Sequence, residues 1–273
     1  MIYLEHSPSG PLSRYVQILW YCENYQVSHR RERVLPNGAV QIILCLSHDK
    51  LPHWPNHAPD AAPEQLSHSL VTGVHTEYVI INTSSLECIV GAQFWPGAAP
   101  FILGVPADVV SHQEVDLSDV WGTGVETLRD QLKSVPSGQE RLRVLERHLA
   151  TRICPEPESN RAVRFAIEKF QHVPHLESIA EVSRTVGLSS RRFAQVFREQ
   201  VGVTPKVYCR LRRFHAALQA IHQGRDVDWA QLALSTGYYD QSHFVNEFRA
   251  FSGVNPNAYL TGRSQWTNHV VLD

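Results

Sequence analysis

Residues 179–208 read IAEVSRTVGLSSRRFAQVFREQVGVTPKVY, and residues 232–259 read LALSTGYYDQSHFVNEFRAFSGVNPNAY. Aligned on their aromatic residues, the two segments share one pattern. Phe193-x3-Phe197-x4-Gly202-x2-Pro205-x2-Tyr208 recurs as Phe244-x3-Phe248-x4-Gly253-x2-Pro256-x2-Tyr259, at a constant offset of 51. A further pair precedes each copy, Ala180 with Gly187 and Ala230 with Gly237. Seven matches make coincidence a poor account: the chain uses one structural unit twice.

Each unit has the physical form of a helix-turn-helix. Ile179, Ala180 and Val186 give the first helix an apolar stripe, with small Ala180 expected to let a second helix approach. Gly187 suits the positive φ needed just past a helix C-terminus. Ser189 or Ser190 then caps the next helix by accepting from its free N–H groups. Phe193 and Phe197, four apart, face one way into a core. Ser190, Arg191, Arg192, Gln195 and Arg198 are left outside, long or polar side chains that reach phosphates and base edges. In the second unit Asp240 is the expected cap, Phe244 and Phe248 are core, and Gln241, Ser242, Asn246 and Arg249 are exposed. Between the units, Thr204–Gln223 reads as one helix with Pro205 in its first turn. Twenty residues at about 1.5 Å each span about 30 Å, close to the roughly 34 Å between successive major grooves on one face of a duplex. Arg210, Arg212 and Arg213 on this helix are expected to add charge near the DNA backbone, although a basic run on a helix is commonly solvated surface.

The charge distribution agrees. The 273 residues hold 25 Lys+Arg and 27 Asp+Glu, but residues 1–157 carry a net −6, residues 158–263 a net +5, and Asp273 supplies the remainder. A basic half suits a polyanionic partner. The length fits two domains of about 100–200 residues each. No apolar run reaches the roughly 18 residues of a membrane span, and the N-terminus shows no signal peptide. The five cysteines, Cys22, Cys45, Cys88, Cys154 and Cys209, form no CxxC pair, which points to a reducing, cytoplasmic setting.

The first hundred residues read as strands. Tyr15–Tyr25, Val34–Ser47, Ser69–Val74, Tyr78–Asn82 and Leu86–Phe94 are rich in β-branched and aromatic residues and bounded by turn formers. Short strands with turns between them favour a barrel or sandwich. The intervening HDKLPHWPNHAPDAAP reads as an exposed loop. Helices are expected over Thr123–Val135 and Gln139–Ile153, the second with Leu142, Leu145, Leu149 and Ile153 at helical spacing. That stripe can pack on its own domain or pair with a second subunit as a homodimer. The fold class is therefore α+β. It comprises a β-rich sensor domain with a helical end over 1–154, a linker over 155–160, an all-α domain with two helix-turn-helix units over 161–263, and a tail over 264–273.

Residues 160–260 closely resemble the DNA-binding domain of the AraC/XylS family of bacterial transcription regulators, on the strength of the two segments quoted above. The resemblance implies a seven-helix domain with two recognition helices in adjacent major grooves of a promoter. It places Ser190, Arg191, Arg192 and Gln195 on the first and Gln241, Ser242, Asn246 and Arg249 on the second. It also implies activation of transcription with RNA polymerase as a partner. Two departures stand out. Glu247 replaces a usual basic or neutral residue, which predicts a weaker phosphate contact or exclusion of one base, and Leu260 stands where the family often has Arg. The run from Gly91 to Gly104 and the later Val115-Asp116-Leu117 resemble sensor regions of the same family and bring no known ligand.

Other chemistry is poorly supported. His48, His53, His57 and His68 surround the proline-rich loop at irregular spacings, unlike the rigid ligand set a metal requires, so solvated loop histidines are expected and no metal or cofactor. Cys22, Cys45 and Cys88 lie on expected strands beside apolar residues, where thiols are inert core. No Gly-x-Ser-x-Gly elbow or phosphate loop appears. Trp20, Phe94 and Trp95 are the candidates to line a pocket for a small-molecule effector, though such residues commonly just fill a core. The expectation is a duplex-DNA-binding regulator rather than an enzyme. The alternative is a ligand-binding or metal-dependent enzymatic β-domain carrying a structural helical tail.

Overall fold

A computed structural model describes residues 1–54, 58, 60–156, 160–172, 178–224 and 227–272, with Asn160 and His172 as backbone only. The expected linker at 155–160 lies in part outside the described residues, as does His57.

Among the described residues, eleven strands form two antiparallel sheets. In chain order they are β1 (Ile2–His6), β2 (Val16–Glu23), β3 (Arg31–Val34), β4 (Gln41–Cys45), β5 (Lys50–Trp54), β6 (Glu64–Ser67), β7 (Ser69–Thr72), β8 (Val79–Asn82), β9 (Cys88–Phe94), β10 (Glu114–Asp116) and β11 (His269–Val271). The larger sheet runs β1-β2-β9-β4-β7-β10 and the smaller β11-β3-β8-β5-β6. The sheets do not close into a barrel; the domain is sandwich-like. Cys22, Tyr25, Cys45 and Ile89 form a small buried cluster with Leu51 and Trp20 packed on it. Leu19 and Tyr21 alternate with them and face the larger core.

Two expectations need correction here. Val34–Ser47 is not one strand, because Pro36 and Gly38 (φ +73°) turn the chain between β3 and β4. The proline-rich segment is not all loop either, since β5 pairs with β6 in register from Lys50↔Ser67 to His53↔Glu64. Pro52 is tolerated because β5 joins β8 only through His53 and Trp54, where the missing proline N–H is not needed.

Helices α1 (Pro100–Leu103), α2 (Leu117–Trp121), α3 (Gly124–Ser134) and α4 (Gly138–Ala150) close the sheet-rich domain. Leu142, Leu145 and Leu149 of α4 are buried against β2 and α3. The tight approach occurs at Gly138, where a Cβ would come within 2.4 Å of the Tyr21 ring. The leucine stripe therefore packs inward and supplies no surface for a second subunit. The helical domain follows as α5 (Asn160–His172), α6 (Ile179–Thr185), α7 (Ser190–Val201), α8 (Pro205–Gln223), α9 (Trp229–Ser235), α10 (Gln241–Ser252) and α11 (Pro256–Gly262). Among the described residues no helix is long and apolar enough to cross a membrane.

After α11 the chain returns to the first domain, and β11 pairs with β3 from His269↔Val34 to Val271↔Glu32. A buried carboxylate holds this return. Glu32 is inaccessible to solvent and accepts from Tyr25 Oη (2.7 Å), His29 Nε2 (2.5 Å) and His269 Nδ1 (2.5 Å). Burial pushes its pKa upward, but the hydrogen bonds and charge of His269, with the bonds from Tyr25 and His29, outweigh burial and hold it at about 2. A carboxyl depressed below its ordinary range contributes stability at higher pH and loses it as pH falls through its folded pKa. Denaturation measured from pH 5 down to about 2 should therefore show a steeper loss for the native chain than for Glu32→Gln. Parallel acid limbs would contradict the assignment.

Candidate nucleic-acid interface

The two repeated units share their cap, aromatic core and terminal glycine. Ser189 caps α7 by accepting from the Arg192 N–H (3.3 Å), and Asp240 caps α10 by accepting from the His243 N–H (2.7 Å). Each helix ends on a left-handed glycine, Gly202 (φ +94°) and Gly253 (φ +71°), a conformation in which other residues are strained. Phe193, Phe197, Phe244 and Phe248 are all fully buried. Phe197 is the ring hub of the first unit, against Phe170, Phe193 and Tyr208, and Phe248 that of the second, against Phe214, Phe244 and Tyr259.

With the aromatic faces inward, the opposite faces are open. Ser190, Arg191, Arg192, Gln195 and Arg198 are exposed on α7, and Gln241, Ser242, Asn246 and Arg249 on α10. Gln195 donates to Glu199 (2.8 Å), which orients it along the helix. Arg198 lies 3.7 Å from Asp108 in the first domain, whose 3-10 turn over Ala107–Val109 packs on α7. Two exposed residues at the start of the second face were missed from sequence, His243 and Tyr239, the latter 85% exposed. The repeat was the signal, because His243 occupies the position of Arg192.

Helix α8 sets the spacing of the two faces. Thr204 caps it by accepting from the Val207 N–H (3.4 Å), and Arg263 Nη1 closes its far end on the carbonyls of Ile221 (2.8 Å) and Gly224 (3.0 Å). Its 19 residues span about 28 Å.

The structure corrects three sequence expectations. Ala180 and Ala230 are exposed; the small residues at the helix crossings are Ser183 and Ala233, both buried. Glu247 does not face outward. It is buried, at the position that Val196 fills in the first unit, and pairs with Arg210 Nε (2.6 Å) and Arg213 Nη2 (3.5 Å) of α8. Those arginines are consequently not free for a DNA backbone: Arg210 lies over the Phe251 ring (5.2 Å) and Arg213 over Tyr238 (5.3 Å), locking α8 to α10. Leu260 is half-buried and packs on the core.

Among the described residues no group of three or more His, Cys, Asp or Glu could hold a metal ion. His48 stands by Glu87 (3.3 Å), His68 by Glu126 (3.1 Å), and His53 and His75 share Glu114 (3.9 and 3.1 Å). Of the aromatic pocket candidates, Phe94 is fully buried, Trp20 packs over Gly91, and Trp95, 40% exposed, borders two clefts between the domains.

Residues 182–262 match the family model of a helix-turn-helix domain, and residues 4–116 match that of a domain of unknown function. A probable transcriptional regulator LumQ of Photobacterium leiognathi is 34% identical over 89 residues, 33% of this chain and 36% of its own length, so the match spans about a third of that relative. Among solved structures, an AraC-type DNA-binding domain from Chromobacterium violaceum is 22% identical over 39% of this chain and 96% of its own (TM-score 0.36). ToxT from Vibrio cholerae O395 is 9% identical over 95% of this chain and 97% of its own (TM-score 0.45).

The class these features define is a tandem helix-turn-helix protein with a sheet-rich domain at its N-terminus. The matched region and the doubled motif within it make the likeness specific: residues 182–262 form a helix-turn-helix domain, in a chain similar over 89 residues to a probable transcriptional regulator.

Proposed function

We propose that the protein regulates transcription by binding duplex DNA with α7 and α10 in successive major grooves. The single observation that carries this reading is the pair of exposed polar faces at the two ends of α8, each fixed by the same cap, aromatic core and terminal glycine. Arg191, Arg192, Arg198 and Arg249 supply phosphate contacts and affinity, while Gln195, Gln241, Ser242 and Asn246 read base edges. The family resemblance favours an activator that works with RNA polymerase, and the sheet-rich domain is the place for control by a small molecule.

Four arginines on these faces predict that the log of the association constant falls against log salt with a slope of about −0.9 for each phosphate neutralised, hence about −3 to −4. Fluorescence anisotropy of labelled duplex across a salt series measures it; a slope shallower than about −1 would count against the interface. On the preferred duplex, Arg192→Ala and Asn246→Ala should each weaken binding by about 1–3 kcal/mol. Both side chains are exposed, so the melting temperature should stay put. Unchanged binding in both variants would remove the assignment of these faces.

A further inference from the structure

A cleft of about 550 Å³ opens where the sheet-rich domain meets α8. On the sheet side its wall is a row of amides joined head to tail. Asn37 accepts from the Ala39 N–H (3.0 Å) and donates to Gln93 Oε1 (2.9 Å), and Gln93 donates to Gln17 Oε1 (2.8 Å). The row fixes the direction of every amide and leaves the Gln17 NH2 at its end, half-buried beside the cleft.

The facing wall is one stripe of α8, with Tyr208, Arg212 and His215 at i, i+4 and i+7. Tyr208 is buried and its hydroxyl forms no hydrogen bond, with Gln171 its polar neighbour. The repeat makes this conspicuous, because the counterpart Tyr259 donates to the Thr267 carbonyl at 2.6 Å. Arg212 Nε is likewise buried and unpartnered, and no carboxylate lines the cleft among the described residues. Burial, then the neighbouring Arg212, pushes His215 down to about 4, so its imidazole is neutral near pH 7 and balances nothing. The adjoining cleft differs, since its Arg164 already has Glu156 at 3.6 Å.

Among the described residues, an arginine with no carboxylate beside it, a buried hydroxyl with no hydrogen bond and a terminal amide donor converge on one cleft. Unmet buried donors are costly, and an acceptor-rich anion relieves them. Amides, which both donate and accept, match hydroxyl groups, and Trp95 offers an apolar wall. We propose that this cleft binds a small hydroxylated carboxylate, with the carboxylate on Arg212 and Tyr208 and the hydroxyls along the Gln17–Gln93–Asn37 row. The site takes residues from both domains, and the Tyr208 ring packs on Phe197 beneath α7 (5.6 Å). Bound anion therefore ties the first domain to the helix that spaces the two exposed faces. That consequence rests on the regulator reading; the binding itself does not.

The test uses the full chain and four probes at equal ionic strength: gluconate and glucuronate as hydroxylated carboxylates, sorbitol with hydroxyls only, and hexanoate with a carboxylate only. Gluconate or glucuronate at roughly ten times its Kd should raise the melting temperature by about 3–6 °C. The rise should vanish in Arg212→Gln and shrink in Gln17→Leu, which leaves the buried contacts of α8 in place. No rise with either hydroxylated carboxylate, an equal rise in Arg212→Gln, or a rise with sorbitol or hexanoate as large would overturn the proposal. Anisotropy on duplex DNA with the same samples separates the two readings: carboxylate binding without DNA binding counts against the regulator, and DNA binding without carboxylate binding counts against the cleft.

Discussion

Phe244→Ala should cost the helical domain about 3–5 kcal/mol, and Phe193→Ala about the same. Each ring is fully buried. Phe244 stacks on Trp229 (6.1 Å between centroids) and meets Tyr238 (5.3 Å) and Phe248 (5.6 Å) edge-on, so its removal opens a cavity bordered by rigid aromatics that cannot collapse to fill it. Phe193 packs on Phe197 (5.8 Å), which in turn braces Phe170 and Tyr208. Against a typical domain stability of about 5–15 kcal/mol, either loss leaves a marginal fold. Chemical denaturation followed by circular dichroism measures both. The two rings share no aromatic partner, so the double variant should lose the sum of the single losses to within about 0.5 kcal/mol. Cooperative folding of either single variant with little loss would show that the helix phase is wrong.

Glu247→Gln should lower stability by about 2–3 kcal/mol, less than the loss for a wholly buried pair because Arg210 is about a third exposed. The carboxylate is enclosed between two arginines, and removing its charge strands Arg213 under Tyr238. An outward Glu247 would give the opposite pair of results: an unmoved melting temperature and tighter DNA binding, since a repulsive charge would have left the interface. The structure predicts a lowered melting temperature and DNA binding no tighter than that of the native chain. Melting curves and anisotropy on the same preparation decide between them.

The helical domain was legible because its constraints are local and occur twice. A cap, an aromatic pair four apart, a terminal glycine and a proline in the next first turn each have a short-range cause, and each appears in both copies. Glu247 could have been placed by the same reasoning: Phe244, Glu247, Phe248 and Phe251 fall at i, i+3, i+4 and i+7, the inward stripe of α10. What local spacing cannot show is its partners, Arg210 and Arg213, which lie 34–37 residues away on another helix. Ala180 was misplaced for a related reason, since an apolar side chain near a helix start does not define which face crosses its neighbour. The first domain was less legible. Its strands β1, β5, β6, β10 and β11 are three to five residues long, too short for alternation to register, and β11 is called into a sheet by β3, more than 230 residues earlier. The cleft at Gln17, Gln93 and Arg212 was invisible for the same reason, its walls meeting only through tertiary packing.

The central claim is that two helices of one chain read one duplex, and the most direct test is selection of bound duplexes from a random DNA pool by the full-length protein at two salt concentrations. The account predicts a site with two informative segments one helical turn apart, recovered at both salt concentrations and with less DNA retained at the higher. Enrichment of a single segment, or of no sequence at all, would contradict it.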